Sequence, residues 1–325
     1  MASHWHRIAV ISLALLSLPA VPAQAQVDNY PSRPVRVILD SAPGSAIDVT
    51  LRIVADRLGQ LWGQQVIAMN QPGAGGSISA RAAADATPDG YTLYQPALSL
   101  FLATPGRASN LPLELPRDFA PIGSVSEQPM FMAVPPALGI KTLPDLIALA
   151  KQRPGEISYA ATGVGRITHL AGELLQLRTG TKLLLVPYSG GPSHALNDIL
   201  GGRVSLIIEA YPGMAGAVQA GAVKPIAVAS SQRLPDFPDL PTVAETLPGF
   251  LATGWQGLVA PNGTPEPILR KVAADLRTVL DQAEVKKQIA SRGGYVHPMS
   301  PTEVTAFIQR QQQTWNPILQ KIFAK

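Results

Sequence analysis

Three glycine-bearing segments offer the first chemistry in this sequence: Ala42-Pro43-Gly44-Ser45-Ala46-Ile47-Asp48, Thr162-Gly163-Val164-Gly165-Arg166 and Ser189-Gly190-Gly191-Pro192-Ser193. Each follows an apolar run and precedes a stretch of helical periodicity, so each reads as a turn from a strand into a helix. Glycine lets backbone N–H groups approach a ligand closely, and a helix N-terminus favours an anion. Any one of these segments alone is an ordinary tight turn. Three of them facing one cleft would make a carboxylate-sized receptor lined by main-chain donors. The candidate contacts are then Gly44, Ser45 and Ala46 in the first segment, Gly163 and Gly165 in the second, Thr168 and His169 in the helix that follows, and Ser189 in the third. Arg166 is the sharpest candidate, because a guanidinium can hold a carboxylate through two parallel hydrogen bonds. Two other placements stay open for it, solvent or a pair with Glu209, which also follows a strand. With both charges in the cleft, a zwitterionic solute such as an amino acid fits better than a plain di- or tricarboxylate. Asp48 suits a helix N-cap that accepts from the amide of Leu51 or a neighbour, the alternative being direct contact with an amine or hydroxyl of the ligand.

Other chemistries find little support. Gly163-Val164-Gly165 sits where a dinucleotide fingerprint would, but Thr168 takes the place of the third glycine. The next strand ends Val186-Pro187-Tyr188 with no acidic residue for a ribose, so no nucleotide cofactor is expected. There is no Walker A motif and no G-x-S-x-G elbow. His169 and Glu173 are four apart on one helix face, a spacing that can hold a metal, yet no third ligand is in view and a capping or inter-helix contact is the simpler reading. Cysteine is absent, which removes disulfides, thiolate metal sites and a cysteine nucleophile. No catalytic set is expected. Net charge is +4 with acids and bases interspersed and aromatics are 6%, so there is no basic, aromatic-laced surface for nucleic acid.

The elements that must position these loops alternate between strands and helices. After a basic start at Arg7 comes an apolar run, Ile8 to Leu18, and then Ala23-Gln24-Ala25. That order reads as an export signal over residues 1–25, cleaved after Ala25. Strands are expected at Val35-Leu39, Val66-Met69 and Tyr91-Tyr94, then as two connected strands at Ile122-Val125 and Met130-Val134. The rhythm repeats with strands at Ser158-Ala161, Leu183-Val186, Ser205-Glu209 and Lys224-Ala229, each followed or preceded by a helix. Gly257-Ala260 is one more strand, and Pro265-Ala290 and Pro301-Phe323 are largely helical. Such alternation implies an α/β protein with parallel-rich sheets flanked by helices. Two runs joined twice suggest two lobes, residues 26–125 plus 253–325 and residues 126–252, hinged near Val125-Ser126 and Ala252-Trp255 with a ligand cleft between them. The C-terminal helices most simply return to the first lobe.

The residues also carry a family resemblance. From Tyr30-Pro31-Ser32-Arg33-Pro34 to the last helix, the chain resembles the solute receptors of the tripartite tricarboxylate transporter family, the TctC-like or Bug proteins. The distinctive pieces include Asn70-Gln71-Pro72-Gly73-Ala74-Gly75-Gly76, Pro88-Asp89-Gly90-Tyr91-Thr92-Leu93, His169-Leu170-Ala171-Gly172-Glu173-Leu174 and Leu240-Pro241-Thr242-Val243-Ala244-Glu245. The resemblance implies a two-lobe periplasmic-binding-protein-like fold that closes on a small carboxylate and delivers it to permease subunits in the membrane. It further implies a periplasmic location and, with nothing marking an interface, a monomer. Some relatives instead report solute to a sensor kinase, and an exported α/β enzyme remains the alternative of another class. Against the family pattern, this chain has Asp40-Ser41 where Pro-Phe is usual, Arg166 where Ser or Thr follows the second glycine, and Glu209 where Asp, Asn or Gly is common. A full charge could therefore replace some of the amide and hydroxyl contacts that the family uses.

Overall fold

The computed structural model describes residues 29–103 and 112–323; the export signal and its cleavage point lie outside the described residues. Two sheets share one long strand. In the first, β1 (Val35–Leu39) lies parallel between β2 (Val66–Asn70) and β3 (Thr92–Gln95). β9 (Thr253–Pro261) runs antiparallel to β3 and to the first part of β4 (Phe119–Val134). The end of β4, from Met130 on, enters the second sheet between β7 (Leu206–Ala210) and β8 (Lys224–Val228). Beyond β7 lie β5 (Ser158–Ala161) and β6 (Leu184–Pro187), both parallel.

One expectation is corrected here. The stretch read as two connected strands is one strand of 16 residues. Its polar middle, Ser126-Glu127-Gln128-Pro129, interrupts the apolar pattern, but those four residues pair in regular register with Gln256 to Thr253 of β9, after register shifts at Pro121/Gly123 and Ser124/Ser126. The α/β fold is as expected, with β1, β2 and β3 parallel in one sheet and β5, β6 and β7 in the other, while β4 and β9 run antiparallel to their neighbours.

Helices cover both sheets. α1 (Ala46–Trp62) follows β1; Ser45 caps its start and Gly63, at φ 62°, ends it in the left-handed conformation. Its apolar stripe of Leu51, Val54 and Leu58 packs into one core with Val35, Val37 and Leu39. α8 (Glu266–Asp281) and α9 (Ala283–Ala290) add Ile268, Val272, Leu276 and Val285 to that core. α2 (Ser77–Ala84) covers the opposite face. In the second lobe, α3 (Leu143–Gln152) and α4 (Ile167–Thr179) bury Leu143, Leu146, Leu170 and Leu174 against Met132 and Val134. α5 (Pro192–Leu200) and α6 (Tyr211–Gln219) close the other side, and α7 (Val243–Thr246) is a short turn held by a Thr242–Glu245 capping box. The last helix, α10 (Pro301–Phe323), divides its burial: Val304 and Ile308 join a first-lobe core, Trp315 and Leu319 a second-lobe core. One helix therefore braces both lobes.

Candidate functional site

A cavity of about 320 Å³ lies between the sheets. From the first lobe it takes the loop and first residues around the start of α1, the Pro72–Gly76 loop before α2, and Ala97–Ser99. From the second it takes the loops before α4 and α5 and Glu209-Ala210 before α6, while Gln128, Met130 and 254–256 of β4 and β9 form its back. Five helices thus begin at its wall. The main-chain dipoles at these helix starts give the cavity a positive potential that suits an anion.

Of the residues expected from sequence, Ser45, Ala46, Gly163, Arg166, Thr168, Ser189 and Glu209 line the cavity together. Gly44, Asp48, Gly165 and His169 are not among its lining residues; Asp48, Gly165 and His169 are buried, and Gly44 is exposed, its amide bound to Asp48. The cap of α1 is Ser45, whose hydroxyl accepts from the Asp48 amide at 3.4 Å. Asp48 is the third helical residue, not the cap. Its carboxylate instead accepts from Gly44 N at 2.9 Å and Asn70 Nδ2 at 3.0 Å and pairs with Arg52 at 2.8 Å. Burial raises the Asp48 pKa, but these donors outweigh it and hold the carboxyl below its ordinary value. Gly165 N donates to His169 Nδ1 at 2.9 Å, so that nitrogen is the acceptor of a neutral ring. Glu173 accepts from the Tyr159 hydroxyl at 2.9 Å and from Gln176. The His169–Glu173 pair is therefore a packing contact, and no metal-holding group of His, Cys, Asp or Glu occurs among the described residues.

Arg166 takes a placement that sequence reasoning did not consider. Its guanidinium crosses from the second lobe to the first and grips Asp40 at the end of β1. Nη1 donates to Oδ2 at 2.6 Å and Nη2 to the Asp40 carbonyl at 2.9 Å. The Asp40 side chain is fully buried and that of Arg166 13% exposed. Burial disfavours the guanidinium charge, but Asp40 more than offsets this and holds the group above its ordinary pKa. Glu209 makes no hydrogen bond to Arg166. It is buried on β7, where Oε2 accepts from the Thr162 hydroxyl and Oε1 from Ala210 N, both at 2.9 Å. Thr162 N is in turn held by Thr168 Oγ1 at 3.1 Å. Burial pushes the Glu209 carboxyl up to about 7, against the opposing pull of Thr162, the Ala210 amide and Arg166.

Several lining groups were missed. Asp40 and Ser41 were noted only as departures from a pattern, yet both are buried at the cavity, and Ser41 Oγ has no partner. A charge at the end of an apolar strand is the available signal, since a buried carboxylate needs a counter-ion. The Gly73–Gly76 segment was quoted only as a motif. It runs through positive φ at all four residues, and a Cβ on Gly76 would lie 2.5 Å from Leu100 Cδ2. Only glycine lets that loop turn so close to the wall.

Two lobes of mixed α/β sheet around a cleft rimmed by helix N-termini define a solute-binding protein of the periplasmic type. The model for the tripartite tricarboxylate transporter family receptor matches residues 50–323. Protein BugT of Bordetella pertussis is 34% identical over 321 residues, covering 98% of both chains. Among solved structures, R. palustris Rpa4515 with adipate has a TM-score of 0.85 at 28% identity, covering 90% of this chain and 98% of its own. MatC from Rhodopseudomonas palustris with bound malate has a TM-score of 0.80 at 29% identity, covering 89% and 100%. The chain belongs to the tripartite tricarboxylate transporter receptor family. That family consists of periplasmic receptors and not of enzymes. Among the described residues, no helix is long and apolar enough to cross a membrane.

Proposed function

We propose that this receptor captures a small carboxylate-containing solute in the inter-lobe cavity and hands it to the permease subunits of a tripartite transporter. The observation that carries the reading is the convergence of five helix starts on one cavity, in a chain whose structural neighbours hold malate and adipate. The cavity has the size of such a solute, and main-chain donors can hold its carboxylate without a dedicated cation. The chain is exported, cleaved after Ala25, and works in the periplasm as a monomer. Its lobes are 26–125 plus 253–325 and 126–252. They hinge near Val125-Ser126 and Ala252-Trp255, close to where Met130 N donates to Ala252 O, Ala252 N to Ala229 O and Ala229 N to Met130 O, at 3.0, 3.1 and 2.8 Å.

Native mass spectrometry of freshly purified protein should find a retained small acid. A binding solute at a hundredfold excess over its Kd should add about 2.7 kcal/mol of stability and reduce the radius of gyration in solution scattering. Failure of every small carboxylate, malate and adipate included, to shift the melt would overturn the reading.

A further inference from the structure

We propose that this cleft selects solutes that carry a protonated amine beside a carboxylate, with Glu209 receiving the ammonium and Asp40 withdrawing Arg166 from solute binding. The proposal deepens the receptor reading and rests on it. Among the described residues that line the cavity, the charged ones are Asp40, Arg166 and Glu209. Asp40 and Arg166 neutralise each other across the cleft at 2.6 Å. What remains is Glu209. The side-chain charge of the cavity is therefore zero when Glu209 is protonated and −1 when it is ionised. No unpaired cation stands ready for a second carboxylate.

Glu209 is equipped to receive a donor. Each of its oxygens accepts one protein hydrogen bond, from Thr162 Oγ1 and from Ala210 N, while a carboxylate can accept about four. Two acceptor positions are left over on a buried group at the cavity wall. A buried carboxylate without a full counter-charge is unfavourable, and a solute ammonium supplies that charge at hydrogen-bond distance. The solute carboxylate then falls to the main-chain donors at the starts of α1, α4 and α5, which are the neutral part of the site. A plain dicarboxylate gains the same main-chain contacts but brings no positive group to Glu209 and sets its second negative charge beside that carboxylate. The same carbon skeleton with one added amine therefore separates the two cases.

The test is isothermal titration calorimetry on the mature protein at pH 7 with three matched pairs: succinate and aspartate, adipate and 2-aminoadipate, pentanoate and 2-aminopentanoate. Whichever chain length the cavity accepts, the amine-bearing member should bind at least tenfold more tightly. Glu209→Gln should erase most of that preference, and Asp40→Asn, which still accepts from Arg166 but no longer cancels its charge, should strengthen dicarboxylate binding. A dicarboxylate that binds wild-type protein as tightly as its amine partner overturns the inference and leaves the receptor reading standing. Unchanged preference in a folded Glu209→Gln variant overturns the role of Glu209. Silence from all six compounds removes this inference and weighs against the receptor reading as well. The wild-type comparison decides even where a variant fails to fold.

Discussion

Replacing Arg166 with Met while Asp40 stays in place should destabilise the ligand-free protein by about 3–5 kcal/mol, the usual cost of stranding one member of a buried ion pair. The size follows from the geometry. At 2.6 Å two unit charges attract by roughly 6 kcal/mol in an effective dielectric of about 20. Taking each ion out of water opposes this by several kcal/mol, so the intact pair contributes little net stability. Without the guanidinium, however, the buried Asp40 carboxylate keeps only Ala97 N, at 3.3 Å, from its side-chain hydrogen bonds. Asp40→Asn should cost less, because the amide oxygen still accepts from Arg166 and Glu209 still faces the guanidinium. The double variant Asp40→Asn/Arg166→Met removes both charges and should cost only about 1–2 kcal/mol, leaving a coupling of at least about 2 kcal/mol in the cycle. Urea denaturation with an unchanged m-value reads each difference from the midpoint. A cost below about 1 kcal/mol for Arg166→Met, with a double variant no better than the sum of the singles, would refute the reasoning. It would mean that Asp40 reaches water and that the pair does not hold the lobes together.

Asp48 lies below its ordinary pKa in the folded state, so the stability it contributes is complete above about pH 4 and is lost as pH falls through its folded value. Melts of wild type and Asp48→Asn should therefore differ by about 1–2 kcal/mol near neutrality and converge below pH 4; a constant gap would show that its charge is immaterial. Glu209 has the opposite sign. With its carboxyl pushed up to about 7, its contribution is complete below pH 4.5 and is lost as pH rises to about 7, so the ligand-free wild type should lose on the order of 3 kcal/mol relative to Glu209→Gln across that range. A pH-independent difference in melting would contradict this. Gly257→Ala should cost about 1–3 kcal/mol by overpacking and shift the tryptophan fluorescence, because its Cβ would fall 2.0 Å from the Trp255 ring. Unchanged melting and emission would show that the ring has room to move.

The sequence was most informative where one local rule decides the outcome. The glycine segments before α1, α4 and α5 announce strand-to-helix turns through residues within six positions, and the starts of those three helices meet at the cavity. The α/β rhythm is legible for the same reason: apolar runs and caps such as Thr142 with Asp145 are short-range signals. Asp48 shows the limit of such rules. An acid after a glycine turn looks like a cap, but Ser45 stands three residues earlier and takes the role, which turns Asp48 towards Asn70 and Arg52.

Partner choice over long range was not legible. Arg166 and Asp40 are 126 positions apart, and nothing near either residue specifies the other. What the sequence does contain is a constraint on charge. Asp40 ends an apolar strand and Arg166 opens a largely apolar helix, so both are carried towards the interior, where an unpaired charge is costly. Glu209, also at the end of an apolar strand, competes for the same cation. The competition is settled by what else each carboxylate can recruit. Glu209 has Thr162 and the Ala210 amide beside it and can remain neutral near pH 7, whereas Asp40 has Ala97 N at 3.3 Å. The residue with fewer donors of its own takes the arginine. That choice leaves Glu209, and not Arg166, as the charge without a charged hydrogen-bond partner at the cavity wall, so the same local shortage that ties the lobes together also sets which charge the solute meets.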